Sequence, residues 1–187
     1  MHRDTVHDLN SGLVALTSIA EPFFDGTDAR LDAQPTLADD IPQPFLRLLV
    51  HQDHMTARLT EHYGRSVFLS VLEDRRLDST YTRKILLTLD STETVVEFGI
   101  ARIILPLVPK PARDEILARQ DPLGDILIRH NVLRSIDPKW YLRFGRQSPF
   151  VRHFGGGGPV FGRVGIIHCN RQPAIQLLEI VNDAPSE

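Results

Sequence analysis

Three charged side chains of this 187-residue chain, Arg83, Arg102 and Glu179, fall on the apolar side of segments that alternate as half-buried strands do. In Arg83-Lys84-Ile85-Leu86-Leu87-Thr88-Leu89, alternation groups Arg83 with Ile85, Leu87 and Leu89, and leaves Lys84 and Thr88 to solvent. Val96, Phe98, Ile100 and Ile104 define one face of a later segment, with Arg102 among them and Glu97 and Gly99 opposite. Glu179 shares a face with Ile175, Leu177 and Val181, although Leu178 and Ile180 make the other face apolar too. An ion withdrawn from water is costly unless partners and hydrogen bonds compensate it. Pairing of Glu179 with one arginine is the plain structural solution. Two guanidinium groups against one carboxylate still leave a positive surplus, which a bound anion, a further acid such as Glu73, or exposure at a sheet edge resolves.

The elements that must position these groups follow from periodicity and punctuation. Thr5 to Ile19 reads as a loosely amphipathic helix, followed by irregular wrapping through Pro44. Phe45, Leu46, Leu48 and Leu49 recur at helical spacing, and a second short helix from Thr56 to Tyr63 ends at Gly64 as a left-handed cap. Strands are expected over Ser66 to Glu73, Thr82 to Leu89 and Val95 to Leu105, with Asp90-Ser91-Thr92-Glu93 turning between the last two. Lys110 to Arg119 and Pro122 to His130 read as helices, the second with Asp121 as cap and Pro122 at its first position. Ser135 to Phe144, Arg163 to His168 and Ile175 to Val181 complete the strands, the last two joined by a hairpin at Asn170-Arg171-Gln172-Pro173. Strands that follow one another without intervening helices imply an α+β fold with an antiparallel sheet covered by helices. The whole of 1–187 reads as one domain with a partly irregular N-terminal extension over 1–44.

A chain that is 42% hydrophobic and 24% charged can bury a sizeable core and enclose a pocket. The formal charge of −3 and scattered basic residues lack the footprint of nucleic-acid binding, so no such partner is expected. No stretch approaches the length of a membrane span and no signal-peptide core follows Met1, so a cytoplasmic protein is expected. Cys169 is the sole cysteine, which excludes an intramolecular disulfide, and it lacks a recognisable base that would make it a nucleophile. His51, Asp53, His54 and His62 fit no structural zinc spacing. Gly155-Gly156-Gly157-Gly158 lacks the lysine and hydroxyl residue of a phosphate-binding loop and reads as a flexible loop. The start of a helix at Asp121-Pro122-Leu123-Gly124 could offer the Leu123 amide to a carboxylate, unless Asp121 satisfies those donors itself.

Five local patterns then stand in one order. Asp53-His54-Met55-Thr56 after an apolar helix, Tyr81-Thr82-Arg83-Lys84-Ile85-Leu86-Leu87, Ala101-Arg102-Ile103-Ile104-Leu105-Pro106, Asp121-Pro122-Leu123-Gly124, and Gln172-Pro173 followed by Leu178-Glu179 together resemble the chorismate pyruvate-lyase family. The resemblance runs from about Phe45 to Asn182. It implies a chorismate lyase-like antiparallel sheet of about six strands, covered on one side by helices, with ligand enclosed beneath helical flaps. It also implies an activity, in which chorismate loses pyruvate and its ring aromatises to 4-hydroxybenzoate, without metal or organic cofactor. Carried onto this sequence, the ligand-carboxylate arginine is Arg83, the acid facing the hydroxyl end is Glu179, main-chain contacts come from Met55 and Leu123, and Arg102 is a second arginine near the site. Arg83 and the Leu123 amide are then expected to hold the ring carboxylate and Arg102 the enolpyruvyl carboxylate, with Glu179 orienting the hydroxyl or taking the aromatisation proton.

The extension through Pro44, a longer hairpin between Arg83 and Arg102, and the Gly155 to Pro159 loop depart from the family. They leave room for a relative acting on a different cyclic acid in secondary metabolism. A non-enzymatic alternative comes from the same fold, because ligand-sensing domains of bacterial transcription regulators look like it. Those domains normally follow a DNA-binding winged helix, and the residues before Phe45 are too few and too little basic to form one. On either reading the expected partner is a small aromatic or cyclic carboxylic acid.

Overall fold

The computed structural model describes residues 2–24, 31–89, 94–155 and 158–183, with side chains from Asn10 onward. The expected turn at Asp90-Ser91-Thr92-Glu93 and the middle of the glycine run, Gly156-Gly157, lie outside the described residues.

Alternating apolar residues form a seven-stranded sheet, antiparallel throughout, of β1 (Ala33–Thr36), β2 (Val67–Leu77), β3 (Thr80–Leu89), β4 (Val95–Ile104), β5 (Arg134–Phe144), β6 (Val160–Cys169) and β7 (Gln172–Asn182), in the order β1-β5-β6-β7-β4-β3-β2. The strand added to the expected six is β1, four residues inside the segment read as irregular. It carries Pro35 and has no alternation to reveal it, as a short edge strand allows. Asn170 and Arg171 both take left-handed backbone at the tight turn between β6 and β7, the geometry that matches strand twist.

Helices cover both faces. On one, α2 (Phe45–Leu49) and α3 (Met55–Tyr63) pack Phe45, Leu48, Leu49, Met55 and Leu59 onto Ile85, Leu87, Phe161 and Val181. Beside them, α4 (Lys110–Ala118) and α5 (Leu123–Arg129) pack Ala112, Ile116, Ile126 and Leu127 onto Ala101, Ile103, Ile167 and Ile175. On the opposite face α1 (His2–Ala20) sets Leu16, Ile19 and Ala20 against Phe98, Ile100, Val164, Leu178 and Ile180. Each fully buried Leu or Phe in these layers contributes about 1.5–3 kcal/mol. As the periodicity predicts, α3 ends at Gly64, whose left-handed backbone turns its N–H to the Thr60 carbonyl. No helix is long and apolar enough to cross a membrane among the described residues.

The first face therefore holds two apolar clusters, one under α2 and α3 and one under α4 and α5. Charged side chains occupy the seam between them.

Candidate functional site

Register places the seam. Arg83 pairs with Ala101, Ile85 with Gly99, and Gly99 in turn with Glu179, so Arg83, Gly99 and Glu179 share one face across β3, β4 and β7. Glu179 pairs with Arg163 of β6, which adds a second arginine to that face. Gly99 leaves the floor open, since an added Cβ would lie 3.1 Å from Ile85 and 3.2 Å from Glu97 Oε1. The pocket above it is walled by Leu69, Ile85, Leu87 and Leu177, roofed by His54, Met55 and Thr56 at the start of α3 and its cap and by Pro122, Leu123 and Gly124 at the start of α5 and its cap, and lined by Arg83, Glu97 and Glu179. About 60 Å³ is open to the centre of a water molecule, which suits a small ligand and no larger one.

Arg83 is 2% exposed, and its Nε and Nη1 are buried without a hydrogen-bond partner among the described residues. Burial pushes the guanidinium below its usual range. Neither nearby acid neutralises it. Asp74, directly opposite on β2, turns its carboxylate to Arg119 at 2.7 Å. Glu73 bonds Lys84 at 2.8 Å and also Arg75.

Glu179 has the partner that Arg83 lacks. Its Oε2 accepts from Arg163 Nε at 2.6 Å, both side chains being buried. Arg163 also donates from Nη1 to the carbonyls of Leu49 and His51, at 2.9 Å each, which ties the sheet to the segment between α2 and α3. The ion pair is thus Arg163 with Glu179, and it fixes the roof to the floor.

Arg102 requires a correction. Its alternation with Phe98 and Ile100 is real, but β4 is buried on both faces and that side belongs to α1. Arg102 donates to the Ser18 carbonyl and, at 3.3 Å, to Ser18 Oγ, so it secures the end of α1 with the sheet between it and the pocket. The expected capping by Asp121 is also absent. Pro122 is the cap residue of α5, no side-chain hydrogen bond caps that helix, and Asp121 accepts from Arg129 at 2.9 Å. Met55 and Leu123, the first residues of α3 and α5, both line the pocket.

Three residues escaped sequence reasoning. Arg163 alternates with Phe161, Gly165 and Ile167, the same signal that singled out Arg83. Glu97 read as solvent-facing, yet it is 4% exposed and faces the pocket. His54 accepts a 2.6 Å bond from Arg134 Nε at its Nε2, which requires that nitrogen to be unprotonated. Burial first, and the Arg134 charge second, depress His54 to about 4. Its ring lies against Gly124, where an added Cβ would stand 2.9 Å from His54 Cβ and Cγ. Cys169 is buried in the cluster beneath α4 and α5, and burial raises its thiol, the opposite of an activated nucleophile. Among the described residues no group of three or more His, Cys, Asp or Glu is placed to hold a metal ion.

No protein-family model and no curated protein matches the sequence. Solved structures do match. PhnF from Mycobacterium smegmatis aligns at TM-score 0.50 and 12% identity over 73% of this chain and 66% of PhnF. A structure of the effector domain of the same protein aligns at 0.49 and 12% over 70% and 88%. A possible transcriptional regulator, YydK of Bacillus subtilis, aligns at 0.43 and 10% over 65% and 59%. This chain thus spans just under two thirds of the length of PhnF. At such identity the likeness establishes the fold, the α+β chorismate lyase-like architecture.

The expectation of a chorismate pyruvate-lyase is corrected here, and the assignment as a carbon–oxygen lyase with it. The solved structures that share the fold are described as an effector domain and a possible regulator, not as lyases. The site agrees. Chorismate carries two carboxylates, and the arginine expected to hold the second is on the far face, while Arg163 is already engaged by Glu179.

Proposed function

We propose that this chain is a non-catalytic sensor domain that encloses a small aromatic or cyclic carboxylic acid, with the Arg83 guanidinium as its anion-binding group. The observation that carries this is a buried arginine whose Nε and Nη1 have no partner among the described residues, lining a pocket with apolar walls. A carboxylate satisfies a guanidinium with two parallel charge-assisted hydrogen bonds and removes the cost of an uncompensated buried cation. The main-chain amides of Met55 and Leu123 supplement it from the roof. Glu179, held by Arg163, sets the polarity of the opposite wall and orients the ligand.

In this reading residues 1–187 act as one effector domain, with α1 as its rear cover. Ligand would then close the seam between the two helical pairs, and a partner or further domain would respond. The test is a thermal-shift screen of the full chain against aromatic and cyclic monocarboxylic acids, run in parallel on Arg83→Gln. A ligand present at about a hundredfold over its Kd stabilises by about 2.7 kcal/mol. The reading requires that at least one acid stabilises the wild type and that Arg83→Gln abolishes the shift. Stabilisation of both proteins alike contradicts it.

A further inference from the structure

Glu97 has no part in the anion contact just proposed, yet it is a buried carboxyl in the same pocket. It stands on β4 opposite Leu87, on the face that carries Arg83, Gly99 and Glu179. Its Oε2 is buried and has no hydrogen-bond partner among the described residues, and its Oε1 leans over Gly99. The titratable groups in and around the pocket are Glu179 from β7, Arg163 from β6, Arg83 from β3 and His54 at the head of α3, and of these Glu179 and Arg163 act on Glu97. No cation among them is available to Glu97. Arg163 is engaged by Glu179 and by main-chain carbonyls, and His54 Nε2 accepts from Arg134. Arg83 belongs to the other end, since its register partner Ala101 lies four residues from Glu97, roughly 13 Å along a strand. Glu179 meanwhile adds a like charge. Burial first, and that charge second, push the Glu97 carboxyl well above the carboxylate range, with Arg163 pulling weakly back. A neutral carboxyl there both donates and accepts one hydrogen bond.

We infer that Glu97 is the specificity-determining residue of the pocket, which takes a small acid bearing one negative charge at the Arg83 end and an uncharged hydrogen-bonding group, hydroxyl or amide, seated against the Glu97 carboxyl. The inference rests on Arg83 as the anion site and names the ligand class for it. Charge balance gives the same answer. Arg83 and Arg163 supply two positive charges and Glu179 one negative, so a monoanion neutralises the site and a dianion leaves a buried charge uncompensated beside Glu179.

The experiment uses the full chain labelled with glutamate carrying carbon-13 at the carboxyl. The Glu97 resonance, identified by its loss in Glu97→Gln, is expected to keep the protonated shift where the other glutamates of the chain have already ionised, in the direction its burial sets. Calorimetry then compares benzoate, 4-hydroxybenzoate and terephthalate. The hydroxy acid is expected to bind at least about tenfold more tightly than the dianion. Glu97→Leu should bring 4-hydroxybenzoate down to the affinity of benzoate, and Glu97→Gln should restore the difference. A Glu97 resonance that ionises together with the exposed glutamates, or terephthalate binding as tightly as the hydroxy acid, overturns the inference. If benzoate binds and withstands Arg83→Gln, the anion site fails and the inference fails with it. If benzoate requires Arg83 but terephthalate equals 4-hydroxybenzoate, only the role of Glu97 fails. Absence of binding by all three overturns both.

Discussion

Arg83 and Arg163 are chemically identical and both buried, yet Arg163 is tied to Glu179 while Arg83 Nε and Nη1 have no partner among the described residues, which is why the anion is proposed at Arg83. Replacing Arg83 by glutamine removes a buried charge whose Nε and Nη1 have no partner among the described residues, so unfolding in denaturant should show stability unchanged or raised by up to about 2 kcal/mol. Replacing Glu179 by glutamine does the reverse. It leaves Arg163 charged and uncompensated inside the sheet, and the same measurement should show a loss of about 3 kcal/mol. Alternation placed Arg83 on the buried face of β3 with Ile85 and Leu87, the face on which the structure has it. The same rule misplaced Arg102 and Glu97, since β4 is buried on both sides and apolar company marks burial without saying which face is which. Arg163 carried the alternation signal among Phe161, Gly165 and Ile167, but its segment was read only as a strand.

At the level of elements, the site lies at a seam between helix pairs, while the rear helix packs on the other face of the sheet and contributes stability. Arg102→Ala should free the end of α1, lower stability by about 1–2 kcal/mol and leave acid binding unchanged in calorimetry, because its contacts are to Ser18. Gly124→Ala forces a Cβ against the His54 ring, so α5 and α3 must part. An overpacking cost of about 1–3 kcal/mol and weaker binding are expected together, read by denaturation and calorimetry on one sample. The helices and most strands were legible because apolar spacing, Gly64 and the hairpin residues Asn170 and Arg171 specify them locally. The strand at Ala33–Thr36 was not, since four edge residues with a proline have no period to read, and the packing of α1 on the far face depends on tertiary contacts with Phe98 and Leu178.

For the molecule as a whole, acid stability reports whether the roof is formed. His54 is depressed to about 4 in the fold against an ordinary 6.5, so the unfolded chain binds its proton first as pH falls. The stabilisation is fully present above about pH 6.5 and is lost between there and about pH 4, and His54→Asn should flatten that part of a plot of Tm against pH. Glu97 acts in the opposite sense: its raised carboxyl favours folding at low pH, and that contribution is lost as pH rises through its folded value. Chorismate incubated with the protein should release no pyruvate above the uncatalysed rate, because Arg83 is the one arginine among the described residues that lines the pocket. The central claim is that Arg83 awaits an anion. Calorimetric titration of 4-hydroxybenzoate into wild type, Arg83→Gln and Asp74→Asn tests it most directly. Saturable one-to-one binding is expected for wild type and Asp74→Asn, and at least about thirtyfold weaker binding, some 2 kcal/mol, for Arg83→Gln. Equal affinity in wild type and Arg83→Gln would contradict it.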